Sequence, residues 1–189
     1  MRHKYETRGI VLARAPSGEA SASVTLITPD LGMVRVRAQS LRRPGAKLAP
    51  ALVTFAESEV LLVRGREGWR IAGAVLQENW FARMRRSAPR ARAGRVCHLL
   101  LRLVAGEERN PELFSVLAGF FEALAALPEE EWDAAEVLAV LRMLAALGLD
   151  AGTLPGEPPA FAPALLAQVA AERTQYIMRI NRGIAASGL

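Results

Sequence analysis

The spacing of apolar residues along the chain changes near Trp80. From Tyr5 to about Gln77, apolar and polar residues alternate in short runs that Pro, Gly and Asp interrupt, which is typical of strands joined by tight turns. Beyond Trp80 the apolar residues recur every three or four positions, which is typical of amphipathic helices. The sequence therefore predicts an α+β protein, with a strand domain over residues 1–80 and an all-helical domain over residues 96–189.

Five strands are predicted in the first domain, in the segments YETRGIVLAR, SVTLIT, MVRVRA, ALVTFAESEVLLV and GWRIAGAVL. Pro29 and Gly32 suit a hairpin turn between the second and third strands, because proline fixes φ and glycine allows positive φ. Five short strands without a helix-length crossover favour a closed antiparallel barrel over a parallel sheet. An OB-like barrel is the favoured form, and an SH3-like barrel or another small open sheet remains an alternative.

Residues 81–95 hold six arginines and no acid. Pro89 and Gly94 are expected to interrupt a helix in this segment, because proline lacks an N–H and glycine is a poor helix former. The segment is therefore interpreted as a basic hinge between the two domains.

The helical domain is predicted to be a small bundle. Pro111 suits the first position of one helix, and Gly148 suits the end of another. Residues 148–163 hold three glycines and four prolines and are predicted to be an irregular connection before a helical tail. The apolar stripe expected to fill the core consists of Leu113, Phe114, Leu117, Phe120, Phe121 and Leu124.

Charge is divided unevenly along the chain, although the net charge is only +5. Residues 1–95 hold 18 Lys and Arg against 7 Asp and Glu, whereas residues 96–189 hold 6 against 12. Genome composition can explain the use of Arg in place of Lys, but it does not explain this asymmetry. The first half is therefore expected to meet a polyanion, and the second half solvent or a protein.

Several classes of protein are excluded by composition. With 51% hydrophobic and 23% charged residues, the chain has enough apolar surface to fold. No apolar run reaches the roughly 18 residues of a membrane span, and no sustained apolar segment follows the basic start. The single cysteine, Cys97, excludes an internal disulfide. A cytoplasmic, nucleoid-associated protein is expected.

Catalytic and metal-binding signatures are missing from the sequence. Cys97 and His98 are adjacent, so on a helix their side chains diverge by about 100° and cannot pair as nucleophile and base. The acidic run over residues 129–133 is explained by a helix N-terminus. No phosphate-binding loop occurs, and GREG at residues 65–68 is interpreted as a hairpin turn. We therefore expect neither enzymatic activity nor a cofactor.

A basic strand and loop form the candidate nucleic-acid site. Arg35 and Arg37 are two apart in a strand and so project from one face, and three further cations follow in the next loop, namely Arg42, Arg43 and Lys47. On a small barrel, such charges can track phosphates while aromatic side chains stack on bases. Trp69 is a candidate for stacking, or else closes the barrel core. A solvated strand face remains the alternative for the arginines.

These segments together resemble a known family. The motif T-x-GIVL, the stretch GEASASVTLITPDLGMVRVRAQSLRRPGAKL and the stretch FAESEVLLVRGREGWRI follow one another as in the N-terminal domain of the bacterial recombination mediator family RecO. The helical second half, which ends in MRINRGIAASGL, is similar to that family as well. The resemblance implies an OB-fold domain joined to a helical domain.

The resemblance also implies a function. Its members are expected to bind single- and double-stranded DNA, to anneal complementary strands, and to assist RecA together with RecR and single-strand-binding protein. By position, the basic strand and loop of the family fall on Arg35, Arg37, Arg42, Arg43 and Lys47. The four-cysteine zinc motif of many relatives is replaced here by the cysteine-free GLDAGTLPGEPPAFAPA, so zinc is not carried over. A generic OB-fold RNA-binding module remains an alternative, and a nuclease would need acids or a metal that the sequence does not place.

The resemblance further implies that the helical half binds the C-terminal tail of single-strand-binding protein. That tail is acidic and ends in apolar residues, so its acceptor should be an apolar groove rimmed by cations. Arg142, or the pair Arg179 and Arg182, is the predicted source of those cations, because the helical half has few others.

Overall fold

Five strands form a closed barrel in a computed structural model that describes residues 3–189. They are β1 (Lys4–Ser17), β2 (Ser21–Thr28), β3 (Gly32–Ala38), β4 (Ala56–Gly65) and β5 (Gly68–Asn79). Their order around the barrel is β1-β2-β3-β5-β4, and β1 pairs with β4 to close it. This is the OB-fold arrangement that was predicted. All strand pairs were expected to be antiparallel, but the short contact between β3 and β5 is parallel, and the other pairs are antiparallel.

Alternation along the strands places the apolar side chains inside the barrel. In β3, Val34 and Val36 are buried, whereas Arg35 and Arg37 are exposed, as the two-residue period predicts. Val24 and Leu62 face the same core from other strands. The arginines of β3 therefore project from the outer surface of the barrel.

The predicted fourth strand was wrong over its first residues. Residues Pro50–Leu52 form a 3-10 turn, and β4 begins only at Ala56. The Ser58 hydroxyl donates to the carbonyl of Ala51, which fixes this turn against the strand. An apolar run alone does not distinguish a buried turn from a strand, and here the buried Ala51 and Leu52 belong to the turn.

The helices that follow are α1 (Trp80–Arg83), α2 (Ser87–Leu103), α3 (Pro111–Ala126), α4 (Trp132–Ala146), α5 (Pro163–Ala171) and α6 (Arg173–Ala186). The predicted break of the helix at Pro89 and Gly94 was wrong, because α2 runs through both. Pro89 lies in the first turn, where backbone N–H groups have no partner within the helix, so its missing N–H costs nothing there.

The apolar stripe of α3 is buried as predicted, including Phe120 and Phe121. α4 packs against α2, α5 and α6 and is buried on most of its surface. It ends where it was expected to end: Gly148 has φ of +72°, and the N–H of Leu149 donates to the carbonyl of Leu144 over 2.8 Å. An irregular connection then leads to α5.

Contacts divide the chain into two compact units. The barrel unit comprises Met1–Arg83 and, in addition, Ala105–Pro111, and the helical unit comprises Met84–Val104 and Glu112–Leu189. Of the helices within residues 3–189, none combines the length and the apolar character that crossing a membrane requires.

Candidate nucleic-acid interface

The arginines of β3 stand on a shallow part of the barrel surface. Arg35 lies opposite Thr25 of β2, and Arg37 lies opposite Ser23. Both arginines are exposed, and the β2 side chains beside them are short. Their guanidinium groups therefore rise above their neighbours, where a phosphate backbone can reach them.

The basic loop after β3 folds back toward the turn between β1 and β2. The Arg42 backbone N–H donates to the carbonyl of Ala20, and its guanidinium donates to the carbonyl of Gly18 over 3.0 Å. Leu41 is buried in the barrel core and anchors the loop, whereas Arg43 and Lys47 are exposed. The loop thus holds its cations at the end of the barrel where β3 ends.

A second group of cations lies at the same end and was not predicted as a site. The strand β5 begins beside the end of β3, with Arg70 opposite Arg37. Together with the turn between β4 and β5, these residues line a cleft of about 790 Å³. We call it the arginine cleft and define it by Arg37, Arg64, Arg66 and Arg70. The signal in the sequence was RGREGWR, with three arginines in one turn, but it was interpreted only as a hairpin.

Trp69 lies in the barrel core and does not present a face for stacking. It is 5% exposed, and the ring of Tyr5 meets it edge to face with the ring centroids 5.1 Å apart. The guanidinium of Arg64 lies 4.9 Å from the centre of its ring. Its indole N–H donates to a carboxylate oxygen of Glu107 over 2.9 Å, and the other oxygen of that carboxylate pairs with Arg64.

In the helical unit, Arg142 and Arg179 hold the irregular connection between α4 and α5. Arg142 is fully buried, donates to the carbonyls of Pro155 and Ala160, and burial lowers its pKa. Arg179 pairs with Asp150, and its hydrogen bond holds the pKa of that carboxyl below the usual range. A buried guanidinium does not suit the rim of an open groove, so the placement of Arg142 does not favour the role predicted for it. Arg182 is exposed.

An apolar groove of about 490 Å³ is lined by residues of α2, α4 and α6. We call it the helical groove. Its apolar lining consists of Val96, Leu99, Val137, Val140, Ile177, Ile180 and Ile184, and its charged lining consists of Arg92, Arg95, Asp133, Glu136 and Arg173. The three residues predicted for a partner groove, Arg142, Arg179 and Arg182, do not line it.

The charged side of the helical groove is a network in which three arginines share two carboxylates. Arg92 and Arg95 both pair with Glu136, at 2.5 and 2.7 Å, and Arg173 pairs with Asp133 at 2.7 Å. The hydrogen bond from Arg173 holds the pKa of Asp133 below its usual range. One positive charge is left over, so this side of the groove favours an anion.

Within residues 3–189, no three side chains of His, Cys, Asp or Glu lie close enough together to hold a metal ion. Cys97 is buried, and burial raises the pKa of its thiol to about 12.

Comparison with known proteins gives matches in both units. The model of "Recombination protein O N terminal" matches residues 1–78, and that of "Recombination protein O C terminal" matches residues 91–150. The chain is 34% identical over 123 residues to a DNA repair protein RecO of Dehalococcoides mccartyi, which covers 65% of this chain and 48% of that protein. It is 32% identical over 168 residues to the DNA repair protein RecO of Desulforudis audaxviator, which covers 86% of this chain and 67% of that protein. The chain spans about half the length of most of the curated relatives it matches.

Proposed function

This chain belongs to the recombination protein O family, and on that premise we propose that it is a DNA-binding recombination mediator. In this proposal it binds single- and double-stranded DNA without catalytic turnover and anneals complementary single strands. It further assists the loading of RecA onto strands coated by single-strand-binding protein, in concert with RecR.

The observation that carries the proposal is the convergence of cations at one end of the barrel. The strand and loop set meets the arginine cleft there through Arg37, which belongs to both. That set consists of Arg35, Arg37, Arg42, Arg43 and Lys47. Phosphates are the ligands that such a surface favours, because contacts between cations and the backbone supply most of the sequence-independent affinity for DNA.

The same surface suits annealing because it would leave the bases of a bound DNA strand free of protein contacts. Trp69 is buried in the core, and the exposed Tyr5 packs edge to face against it, so the cleft offers no row of aromatic faces for successive bases. A strand held through its phosphates keeps its base edges free to pair. The arginines also neutralise part of the repulsion between two approaching strands, which favours their encounter.

The helical groove is our proposed acceptor for the tail of single-strand-binding protein. Its apolar floor suits the apolar end of the tail, and Arg92, Arg95 and Arg173 suit its acidic residues. This replaces the site expected from Arg142, Arg179 and Arg182. The tail would compete with Asp133 and Glu136 for the arginines, so its binding is expected to weaken with salt.

Annealing of complementary strands coated with single-strand-binding protein tests the proposal directly. The protein alone should accelerate duplex formation, and single-stranded DNA should compete with the labelled strand at least as well as RNA of the same length. Preference for RNA would favour the alternative of a general RNA-binding module. Shortening of the strands during incubation would indicate a nuclease.

A variant in the helical groove separates the two roles. Val140→Asp places a negative charge in the apolar lining, so it should reduce annealing of coated strands and leave annealing of bare strands unchanged. Met178→Asp is the matched control, because Met178 lies on α6, is 59% exposed and does not line the groove. Equal loss in both variants would contradict the groove assignment.

A further inference from the structure

A short segment returns to the barrel between two helices of the other unit. Ala105–Pro111 belongs to the barrel unit, although α2 before it and Glu112 after it belong to the helical unit. The segment passes so close to Gly32 that a Cβ atom on this residue would lie 2.0 Å from the carbonyl oxygen of Glu108. Gly32 also has φ of +67°, so glycine is required there for two reasons. The segment is thus a fitted part of the barrel unit.

Glu107 brings the carboxylate of this segment to the arginine cleft. One of its oxygens accepts the indole N–H of Trp69, and the other pairs with Arg64, whose guanidinium lies over the Trp69 ring. Two donors, one of them cationic, therefore converge on a single anion. A guanidinium and a neighbouring N–H are also the donors that bind a phosphate well.

We propose that Arg64 and the indole N–H of Trp69 form a phosphate-binding position, which Glu107 occupies in the absence of DNA and yields to a backbone phosphate when DNA binds. This inference rests on the proposed function, DNA binding at the arginine cleft. It adds a specific position within that cleft and an internal anion that competes for it.

The exposure of the pair makes the exchange feasible. The side chains of Arg64 and Glu107 are 51% and 40% exposed, and ion pairs this open to water contribute little to stability. The indole N–H lies at the margin of the core, because a carboxylate from outside reaches it. A phosphate on a strand also brings neighbouring phosphates to Arg37, Arg66 and Arg70, which Glu107 cannot do. A DNA strand is therefore expected to displace the carboxylate of Glu107 from this position.

The chain supplies a matched control for Glu107. Glu67 also lines the cleft, but its side chain is 92% exposed, its carboxylate lies 4.0 Å from the guanidinium of Arg37, and it is not the acceptor of the Trp69 indole N–H. Glu107→Gln and Glu67→Gln change the net charge equally. At low salt, Glu107→Gln should tighten binding of a single-stranded oligonucleotide about two- to fivefold relative to Glu67→Gln, because only the first removes the carboxylate that occupies the position formed by Arg64 and Trp69. Equal affinities of the two variants would overturn the inference.

The indole N–H resonance of Trp69, observed by NMR in the full chain, reports on the position itself. The oligonucleotide should shift this resonance in the wild-type protein, and pyrophosphate should shift it in Glu107→Gln but not in Glu107→Gln combined with Arg64→Met. The inference requires both the difference in affinity between the two variants and the shift of the Trp69 resonance. If DNA binds and this resonance does not move, the inference is overturned. If DNA does not bind at all, the proposed function fails, and the pyrophosphate titration alone decides whether the phosphate position exists.

Discussion

Salt dependence provides the most direct measure of how many cations of the barrel surface meet phosphates. Eight cations gather at that end of the barrel, and two of them, Arg37 and Arg64, have carboxylate partners there. A phosphate that replaces one of these carboxylates leaves the carboxylate free to attract counterions, so these two arginines add little to the salt dependence. Among residues 3–189, the other six form no ion pair: Arg35, Arg42, Arg43, Lys47, Arg66 and Arg70. If all six meet phosphates of a single strand, the slope of log K against log salt is about −4, at roughly 0.7 for each phosphate.

That slope sets the size of the expected effect. Raising salt from about 50 to 200 mM should weaken wild-type binding about 300-fold, because each of the six contacts contributes roughly 0.7 to the slope. Changing Arg35 and Arg66 together to Met removes one contact from β3 and one from the cleft. The weakening over the same range should then fall to about 50-fold, since four contacts remain.

Fluorescence anisotropy of a labelled oligonucleotide at four or more salt concentrations measures both slopes. Arg102 and Arg182, which are exposed in the helical unit, provide the control pair, and changing both to Met should leave the slope as in the wild type. The reasoning is refuted if the first double variant keeps the wild-type slope, or if the control pair lowers it as much.

Three further outcomes are expected. Arg142→Met should lower the free energy of unfolding in urea by about 1–3 kcal/mol, because the buried carbonyl of Pro155 loses its donor, whereas the carbonyl of Ala160 lies nearer to water. No change in the urea midpoint would contradict this. The hydrogen bond from Arg179 lowers the pKa of Asp150, so this pair should stabilise the fold above the ordinary carboxyl range and lose that effect as pH falls through the lowered pKa. The thermal unfolding temperature of Asp150→Asn should therefore vary less between pH 5 and pH 2 than that of the wild type. Burial raises the pKa of the Cys97 thiol to about 12, so an alkylating reagent at pH 8 should modify this residue in urea but not in the native protein. Rapid labelling of the native protein would contradict this, because it would show that the thiol is accessible.

Local periodicity explains why much of the barrel could be predicted. The alternation of Val34 and Val36 with Arg35 and Arg37 is itself the geometry of a strand, so both the core face and the basic face followed from the sequence. The same rule did not find the arginine cleft. Arg64, Arg66 and Arg70 are close in the sequence, but Arg37 joins them only when the barrel closes and β3 meets β5. Long-range closure carries no periodic signal.

Arg142 illustrates a different limit. It was expected at a surface because arginine usually is, yet α4 is apolar on nearly all sides, and a helix of that kind is buried. The carbonyls that accept its hydrogen bonds belong to the irregular connection that follows, whose path the sequence did not indicate. The apolar composition of the whole helix indicated burial, and this signal is stronger than the general preference of arginine for the surface.

The return of Ala105–Pro111 to the barrel also determines how the protein can be divided. The chain contributes to the barrel unit twice, so no single cut of the backbone yields a complete barrel unit and a complete helical unit. A fragment ending at Arg83 would lack Glu107 and Glu108, leaving Arg64 without its carboxylate and Gly32 without the backbone that crosses it. Such a fragment would present a cleft more positive than that of the whole chain, and its affinity for DNA would overstate the affinity of the intact protein.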